Sequence, residues 1–356
     1  MKKMNAVNQF LLGTAYVVIM LSASCEHVGD TDKSLPKGFN KRVSAFDVVF
    51  YNVENLFDTA DDRWTEDEDF TPNGKLKWTE ERYQKKLASI AEVLDSISYG
   101  LPHIVGLCEV ENKKVLEDLV GHTGLAGNRY GIIHRDSPDE RGIDVAMLYD
   151  SAIIKIEFYN YTTINLPDST DTRTRDLLYV KAIHNGTPLH LFLNHWPSRG
   201  GGQAESEHLR VAVANVLHMQ INKLLEIDKN ANILVMGDFN DFPNDKSIAQ
   251  TLNAGVEKSN MLYNYMFDEQ QRGEGSYFYK GAWSPLDQFM ASKALHEGKN
   301  NLYASASTAR YFKSDFLMFD SKEGKRPSRT YVGEDYKGGY SDHLPILIEI
   351  YNQHQF

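Results

Sequence analysis

The chain has 356 residues, of which 42% are hydrophobic and 24% are charged, and its formal net charge is -11. These proportions are typical of a soluble globular protein with a large core, and the negative charge excludes passive electrostatic adhesion to long nucleic acid. A nuclease is not excluded, because the local charge at a cation-loaded site can differ in sign from the total.

The amino terminus has the pattern of a secretory signal. Lys2 and Lys3 precede an apolar stretch over residues 10–21, and small residues follow before Cys25. The apolar stretch is shorter than the roughly 20 residues that a membrane-spanning helix needs. We therefore predict a signal peptide over residues 1–24.

Cys25 comes directly after three small residues, as in the lipobox of bacterial lipoproteins, where the cysteine carries the lipid. Leu21 lies one place further from the cysteine than in the usual pattern, so an uncleaved anchor and plain secretion stay open. We predict lipidation of Cys25, a polar tether over residues 25–43 and anchoring in the bacterial cell envelope, at the outer membrane or in the periplasm. Cys108 is the only other cysteine, so no disulfide framework is expected.

In the first half of the chain, two predicted strands end in polar residues. The first runs into Asn52 and Glu54, and the second, over residues 104–108, runs into Glu109. The segment 79–97 between them has apolar residues at steps of three and four, which predicts an amphipathic helix. A strand, helix and strand with a short connection predict a parallel pair, so both polar ends should meet at one edge of a sheet.

The second half repeats this layout. Short strands over residues 145–149 and 177–180 suggest antiparallel partners, and a further strand ends at His195 before a long helix. The next apolar run leads directly into Asp238 and Asn240. Alone, such a polar stretch is more often a turn or helix cap, but its repetition at several strand ends favours a site.

Two other stretches have a structural and a functional interpretation. The acidic residues 61–69 lack the glycine-punctuated pattern of a calcium loop, so we interpret them as a solvated loop rather than an extra cation site. The aromatic residues 277–283 could contact a membrane, but a strand with core-facing residues explains them better.

The polar side chains that flank the predicted strands carry oxygen donors and no thiolate: Asn52, Glu54, Glu109, Asp238, Asn240, Asp287 and Asp342. Such a set selects a hard cation such as Mg2+ or Mn2+ over zinc. His195 and His343 occupy equivalent places. A single histidine is more often structural than catalytic, but two in this setting need a joint explanation.

In number and order these motifs resemble the endonuclease/exonuclease/phosphatase family, over about residues 45–351. The resemblance is carried by Asn52, Glu109, His195, Asp238 with Asn240, Asp287, and Asp342 with His343. It implies an α/β fold over residues 44–356, a four-layered sandwich of two mixed β-sheets packed face to face with helices on the outer faces. Cys108 stands where the family usually has Gln, and no inositol-phosphatase or abasic-site signature is evident.

The same resemblance implies a metal and a base. A cation held by Glu109, with Asn52 and either Glu54 or Asp342 nearby, would neutralise the phosphate charge. Asp238 would then orient and deprotonate the attacking water.

The resemblance also implies contacts to the phosphate. Asn240 would position the water or the phosphate, and Arg175 matches a phosphate-contact position. His343 would be held by Asp287 and contact the phosphoryl oxygen. His195 would act from the other side, oriented by a carboxylate that raises its pKa.

We therefore expect a metal-dependent phosphoester hydrolase at the cell envelope, acting as a monomer, with extracytoplasmic nuclease or phosphodiesterase activity first. A sphingomyelinase-like enzyme or an inositol-phosphate phosphatase is the alternative within the same class. A non-catalytic surface lipoprotein on the same scaffold is the alternative of another class. Because no base, metal carboxylate or histidine of the pattern is missing, the enzyme is favoured.

Overall fold

The computed structural model describes residues 45–127, 129–167 and 173–353. The predicted signal peptide, the lipidation site at Cys25 and the tether lie outside these residues. Within the described ranges, none of the helices combines the length and apolarity that crossing a bilayer would require.

The strands of the described residues are β1 (Ala45–Leu56), β2 (Ile104–Val110), β3 (Tyr130–Ile133), β4 (Asp144–Asp150), β5 (Lys155–Thr162), β6 (Leu177–His184), β7 (Thr187–His195), β8 (Ile233–Asp238), β9 (Ala254–Gly255), β10 (Leu262–Asn264), β11 (Tyr277–Tyr279), β12 (Ala282–Ser284), β13 (Asp287–Ser292), β14 (Leu302–Ala304), β15 (Arg310–Tyr311), β16 (Met318–Ser321), β17 (Gly324–Pro327), β18 (Tyr331–Val332), β19 (Asp335–Tyr336) and β20 (Ile346–Asn352). The α-helices are α1 (Glu80–Ser96), α2 (Lys113–Gly121), α3 (Gln203–Ile227), α4 (Phe267–Gln271) and α5 (Lys293–Glu297). Short 3-10 helices lie at Glu68–Phe70 and Asp315–Leu317, and a π-helix at Lys246–Thr251.

Two large mixed sheets hold most of the strands. The first has the order β14-β20-β1-β2-β4-β3, with β15 also paired to β20. The second has the order β5-β6-β7-β8-β13-β10-β9. The pairs β1 with β2 and β7 with β8 are parallel, whereas β4 and β6 have antiparallel partners, as the sequence predicted.

The inner faces of the two sheets form one continuous core. Successive side chains of a strand point to opposite faces, so Val48 and Phe50 of β1 join the core shared with the second sheet. Gly106 of β2 marks a close approach, because an added Cβ would lie 2.9 Å from a side-chain carbon of Leu193 and 3.3 Å from the sulfur of Met236. The sheets therefore pack face to face.

Helices cover the outer faces. Leu87 and Ile90 of α1 pack with the outward residues of the first sheet, and Val213 and Leu217 of α3 pack with those of the second. Glu80 lies in the first turn of α1, where its negative charge interacts favourably with the helix dipole and stabilises the helix. Helix, sheet, sheet and helix form four layers, which confirms the predicted α/β sandwich.

The acidic residues 61–69 and the aromatic residues 277–283 both lie in the described part of the chain. The acidic loop is largely exposed, but Asp67 is buried and both of its carboxylate oxygens accept the backbone N–H of Asp62. The aromatic stretch forms β11 and β12, an antiparallel hairpin, so the prediction of a strand there is confirmed. The expected core-facing residues are not found, because every residue of the two strands is half-buried or exposed and Tyr279 is 56% exposed.

Candidate active site

The ladder registers bring the predicted polar residues to one edge of the sandwich. Asn52 pairs with Cys108 across the parallel strands β1 and β2, one residue before Glu109. His195 pairs with Asp238 across the parallel strands β7 and β8. The Nδ2 of Asn52 donates to Asp238 Oδ2 at 3.1 Å, so the edges of the two sheets are joined by a hydrogen bond at this point.

Unusual backbone conformations turn several of these side chains into the site. Glu54, Asn55, Glu109 and Asn240 have φ values of 51°, 56°, 63° and 50°. Asparagine tolerates this left-handed region, but for glutamate it costs on the order of 1–3 kcal/mol. The β1–β2 and β2–β4 ladders shift register at Glu54 and Glu109, so bulges leave these carboxylates off the regular strand path.

Asp238 lies at the centre of the arrangement. Its Oδ2 is 3.8 Å from His195 Nε2 and 3.9 Å from His343 Nε2, and its Oδ1 accepts the backbone N–H of Asn240 at 3.0 Å. Burial is the main cause that raises the pKa of Asp238, to about 7. A carboxylate with a pKa near neutrality is suited to take a proton from water.

His343 is held as a charged group. Its Nδ1 lies 2.6 Å from Asp287 Oδ2, and both side chains are buried. Burial alone would lower the pKa of His343, but the carboxylates of Asp287 and Asp238 outweigh it and hold the pKa well above its ordinary value. The ring of Tyr277, at 5.0 Å between centroids, lies beside the imidazole.

His195 differs from the expectation of a carboxylate-oriented imidazole with a raised pKa. Its buried Nδ1 has no hydrogen-bond partner among the described residues, and Nε2 lies 3.9 Å from Glu109 Oε1. Burial, followed by the positive charges of Arg175 and Arg141, lowers the pKa of His195 well below its ordinary value. His195 is therefore a neutral imidazole at neutral pH.

Arg175 contacts groups of the protein itself, and its role as a phosphate contact stays a prediction. Its guanidinium is largely buried, with Nη1 3.1 Å from Asp139 Oδ2 and Nη2 donating to the carbonyl oxygen of Trp196 at 2.6 Å. The side-chain amide of Asn240 donates to the same carbonyl at 3.1 Å. Arg175 thus fixes the loop after His195 and lowers the pKa of that histidine from within the protein.

The predicted metal-binding residues form two groups. Glu109 accepts from Asn52 Nδ2 at 3.3 Å and from the backbone N–H of Asn55 at 3.0 Å. Glu54 and Asp342 instead share Arg329, whose Nε lies 3.8 Å from Glu54 Oε1 and whose Nη2 lies 2.5 Å from Asp342 Oδ2.

The Oδ1 of Asn52 accepts the backbone N–H of Glu54 at 3.0 Å, which leaves one of its two lone pairs for a cation. The remaining donors are carboxylate oxygens. Burial, and then the charge of Asp342, raises the pKa of Glu54 to about 7, because both disfavour a second negative charge at this position. The carboxylate oxygens of Glu109, Glu54 and Asp342 are of the type that a hard divalent cation prefers. These three residues are not one of the two groups of described residues whose potential ligand atoms all lie within 4.8 Å of one another.

A tighter group of potential ligands comprises Asp238, Asp287 and His343, whose atoms lie within 4.8 Å of one another. The short contact between Asp287 and His343 Nδ1 explains this closeness as a hydrogen-bonded pair. We therefore interpret these three residues as proton-handling groups rather than as metal ligands.

Sequence reasoning missed two cations that organise the site, Arg329 and Lys86. Lys86 is fully buried, and its Nζ donates to Thr330 Oγ1 at 2.7 Å and to the carbonyl of Tyr340 at 2.6 Å. It stands on the apolar face of α1, three residues after Tyr83, and a lysine at such a position was the available signal. Arg329 lies in an irregular loop, where no periodicity marked it.

Comparison with known proteins shows the family and agrees with the fold. The model of the Endonuclease/Exonuclease/phosphatase family matches residues 47–352. Among solved structures, the mannosyl-6-phosphatase of Bacteroides thetaiotaomicron is 16% identical with a TM-score of 0.54, covering 86% of this chain and 99% of its own.

Two further solved structures are similar. A family member from the same Bacteroides species is 15% identical with a TM-score of 0.53, covering 86% of this chain and 98% of its own. D. rerio TDP2 in complex with a single-strand DNA product is 15% identical with a TM-score of 0.52, covering 86% and 99%. No curated protein matches the chain.

Proposed function

We propose that this chain, which belongs to the endonuclease/exonuclease/phosphatase family and hydrolyses phosphoester bonds, acts on nucleic-acid phosphodiesters outside the cytoplasm. The observation that carries the chemistry is the position of Asp238. Its carboxylate lies 3.8 Å and 3.9 Å from the Nε2 atoms of a neutral and a charged imidazole, His195 and His343.

These groups divide the work of hydrolysis. Asp238, with a pKa of about 7, takes the proton of the attacking water, and Asn240 positions the water or a phosphate oxygen. The His343 imidazolium, oriented by Asp287, donates to the developing negative charge on the phosphoryl group. His195 contributes a hydrogen bond from the other side without adding charge.

Divalent metal is the cofactor expected of this family, and Mg2+ or Mn2+ is our proposal here. Bound to Glu109, Glu54 and Asp342, the cation would neutralise the phosphate and stabilise the leaving oxygen. The residues of the chain itself hold the ligand carboxylates apart and in place, through Asn52 on one side and Arg329 on the other.

Nucleic acid is the first substrate class because it is the commonest phosphodiester polymer outside cells, and a structural neighbour is bound to a single-strand DNA product. Small phosphoesters come second, supported by the neighbour that is a mannosyl-6-phosphatase. An inositol phosphate or a phospholipid comes third, since no signature for either is evident.

A substrate panel tests this ranking. With Mg2+ or Mn2+ present, turnover of single- and double-stranded DNA, RNA, mannose 6-phosphate, inositol phosphates, sphingomyelin and bis(p-nitrophenyl) phosphate is compared. The Asp238→Asn variant, which keeps the shape but removes the base, identifies background activity. Far faster turnover of mannose 6-phosphate, an inositol phosphate or sphingomyelin than of any nucleic acid would make the nuclease assignment wrong. Absence of turnover on every substrate would favour the non-catalytic scaffold.

A further inference from the structure

Two small hairpins precede the Asp342-His343 motif in the chain. Strands β16 and β17 form the first hairpin, and β18 and β19 form the second. Between them, Arg329 contacts Asp342, and the backbone N–H of Thr330 donates to Glu54 Oε2 at 2.6 Å. The hairpins are therefore fixed directly to two of the carboxylates assigned to the cation.

A groove of about 270 Å³ lies along these hairpins, and its walls include Phe319, Arg326, Arg329, Val332 and Lys337. Phe319 is 52% exposed and Val332 is 40% exposed, so the groove offers apolar surface to a ligand. Three cations line it within a chain whose net charge is -11, and none of the lining residues is a carboxylate. Of the three, Arg329 contacts Asp342, and Lys337 Nζ lies 3.6 Å from Asp335 Oδ2. The groove is thus complementary to an anion attached to an apolar or planar group.

The first hairpin presents its two faces differently. Phe319 and Arg326 are opposite each other in the ladder and so share one face, with the guanidinium carbon 5.7 Å from the ring centroid. Lys325 lies on the other face, where its Nζ is 3.1 Å from Asp315 Oδ1. In the described part of the chain Arg326 has no carboxylate within ion-pairing distance, so its charge is available to a ligand.

We propose that this groove binds a nucleotide unit of a single-stranded substrate, next to the phosphate that is cleaved. The base stacks on Phe319, and its own phosphate binds Arg326 and Lys337. Arg329 lines the groove and also contacts Asp342, which places the bound unit beside the reacting phosphate. This inference rests on the proposed nuclease function.

The exposed aromatic ring of the groove selects single strands. An exposed ring can stack on the face of a base only if that base is not enclosed in a duplex.

Kinetics on paired substrates test the proposal. Arg326→Gln and Phe319→Ala are compared with Lys325→Gln, a charge change one residue along the same strand but on the other face. The substrates are a short single-stranded oligodeoxynucleotide, its duplex and bis(p-nitrophenyl) phosphate. For Arg326→Gln and Phe319→Ala, kcat/KM for the single strand relative to the generic diester should fall about ten-fold, and the preference over duplex should shrink. Lys325→Gln should match the unmodified protein.

A binding measurement tests the groove independently of hydrolysis. The anisotropy of the same oligonucleotide, fluorescently labelled, is titrated in chelator, and both groove variants should weaken the Kd about ten-fold. Equal affinity of Arg326→Gln and Lys325→Gln would overturn the inference. So would a protein that hydrolyses the generic diester but neither binds nor cleaves the oligonucleotide. Failure to hydrolyse the diester as well would instead overturn the proposed function.

Discussion

Asp238 and Asp287 stand directly opposite each other in the antiparallel ladder between β8 and β13. Both are buried, and both reach His343: Asp287 Oδ2 lies 2.6 Å from Nδ1, and Asp238 Oδ2 lies 3.9 Å from Nε2. Two buried carboxylates this close repel each other, and an imidazolium beside both relieves that repulsion. The register of one strand pair therefore sets the charge state of His343.

Replacing Asp287 by asparagine should shift the pH dependence of hydrolysis. The substitution removes a charge that raises the pKa of His343, while burial, which lowers it, remains. The imidazole will then lose its proton at a lower pH, so the basic limb of the kcat/KM profile should move to lower pH. The measurement is the profile on bis(p-nitrophenyl) phosphate from about pH 5 to about pH 10. If the basic limb does not move, His343 is not the group whose protonation the reaction requires.

Glu109 should be required for metal-dependent turnover. Chelator should abolish hydrolysis, added Mg2+ or Mn2+ should restore it, and Glu109→Gln should reduce kcat/KM on the order of 10²-fold or more, because an amide is a weaker ligand than a carboxylate. The control is Glu117→Gln, an exposed glutamate of α2 whose loss should change nothing. Full activity of Glu109→Gln in chelator would exclude the metal role.

The buried pair of Arg210 and Asp241 should be essential for stability. Arg210 Nε lies 2.7 Å from Asp241 Oδ1, and the arginine also donates to the carbonyls of Pro197 and Ser198. Arg210→Met removes the cation nearest to the buried Asp241, which keeps only Arg199 Nη2 at 3.4 Å and the Ser247 hydroxyl at 2.6 Å, so the free energy of unfolding should fall by about 3 kcal/mol in urea denaturation. The exposed Arg272→Met should change it by less than about 0.5 kcal/mol. A small loss of stability in Arg210→Met would show that the segments around Pro197 and Asp241 stay in place without this ion pair.

Glu111 should make the protein less stable as the pH rises. Burial, with the nearby charges of Asp58 and Asp67, raises its pKa from 4.5 to about 8, so the folded protein holds a proton that the unfolded chain releases. The stability that this bound proton contributes is therefore lost as the pH rises from about 4.5 to about 8. Glu111→Gln still accepts the backbone N–H of Asp58 but does not titrate.

The free energy of unfolding of both proteins is measured by urea denaturation at about pH 6 and about pH 8.5. The variant should lose less stability between the two values than the unmodified protein. An identical loss in both would remove Glu111 as its cause.

Cys25 should determine where the protein resides. If this residue carries lipid, the protein partitions with membranes, and Cys25→Ser releases it or leaves it unprocessed. Mass spectrometry of the mature amino terminus measures this directly. An intact Met1 would refute export, and a processed but unlipidated terminus would indicate plain secretion.

Local sequence patterns were sufficient to predict the main strands and helices and the order of the motifs. The apolar runs before Asn52, Glu109 and Asp238 predicted buried strands, and steps of three and four residues predicted α1. These features depend on near neighbours in sequence, so they can be read without a structure. The order of the motifs then indicated the family and, through it, the four-layered fold.

The charge states of the site required the tertiary structure. His195 was expected to have a raised pKa, yet burial, followed by the charges of Arg175 and Arg141, lowers it. Arg329 reaches Asp342 from a loop that has no periodicity to mark it. A pKa depends on burial and on charges within a few ångströms, and strand register and loop packing bring those charges from distant parts of the chain. The sequence alone thus determined which groups exist at this edge of the sandwich, and the fold decided which of them carry a proton.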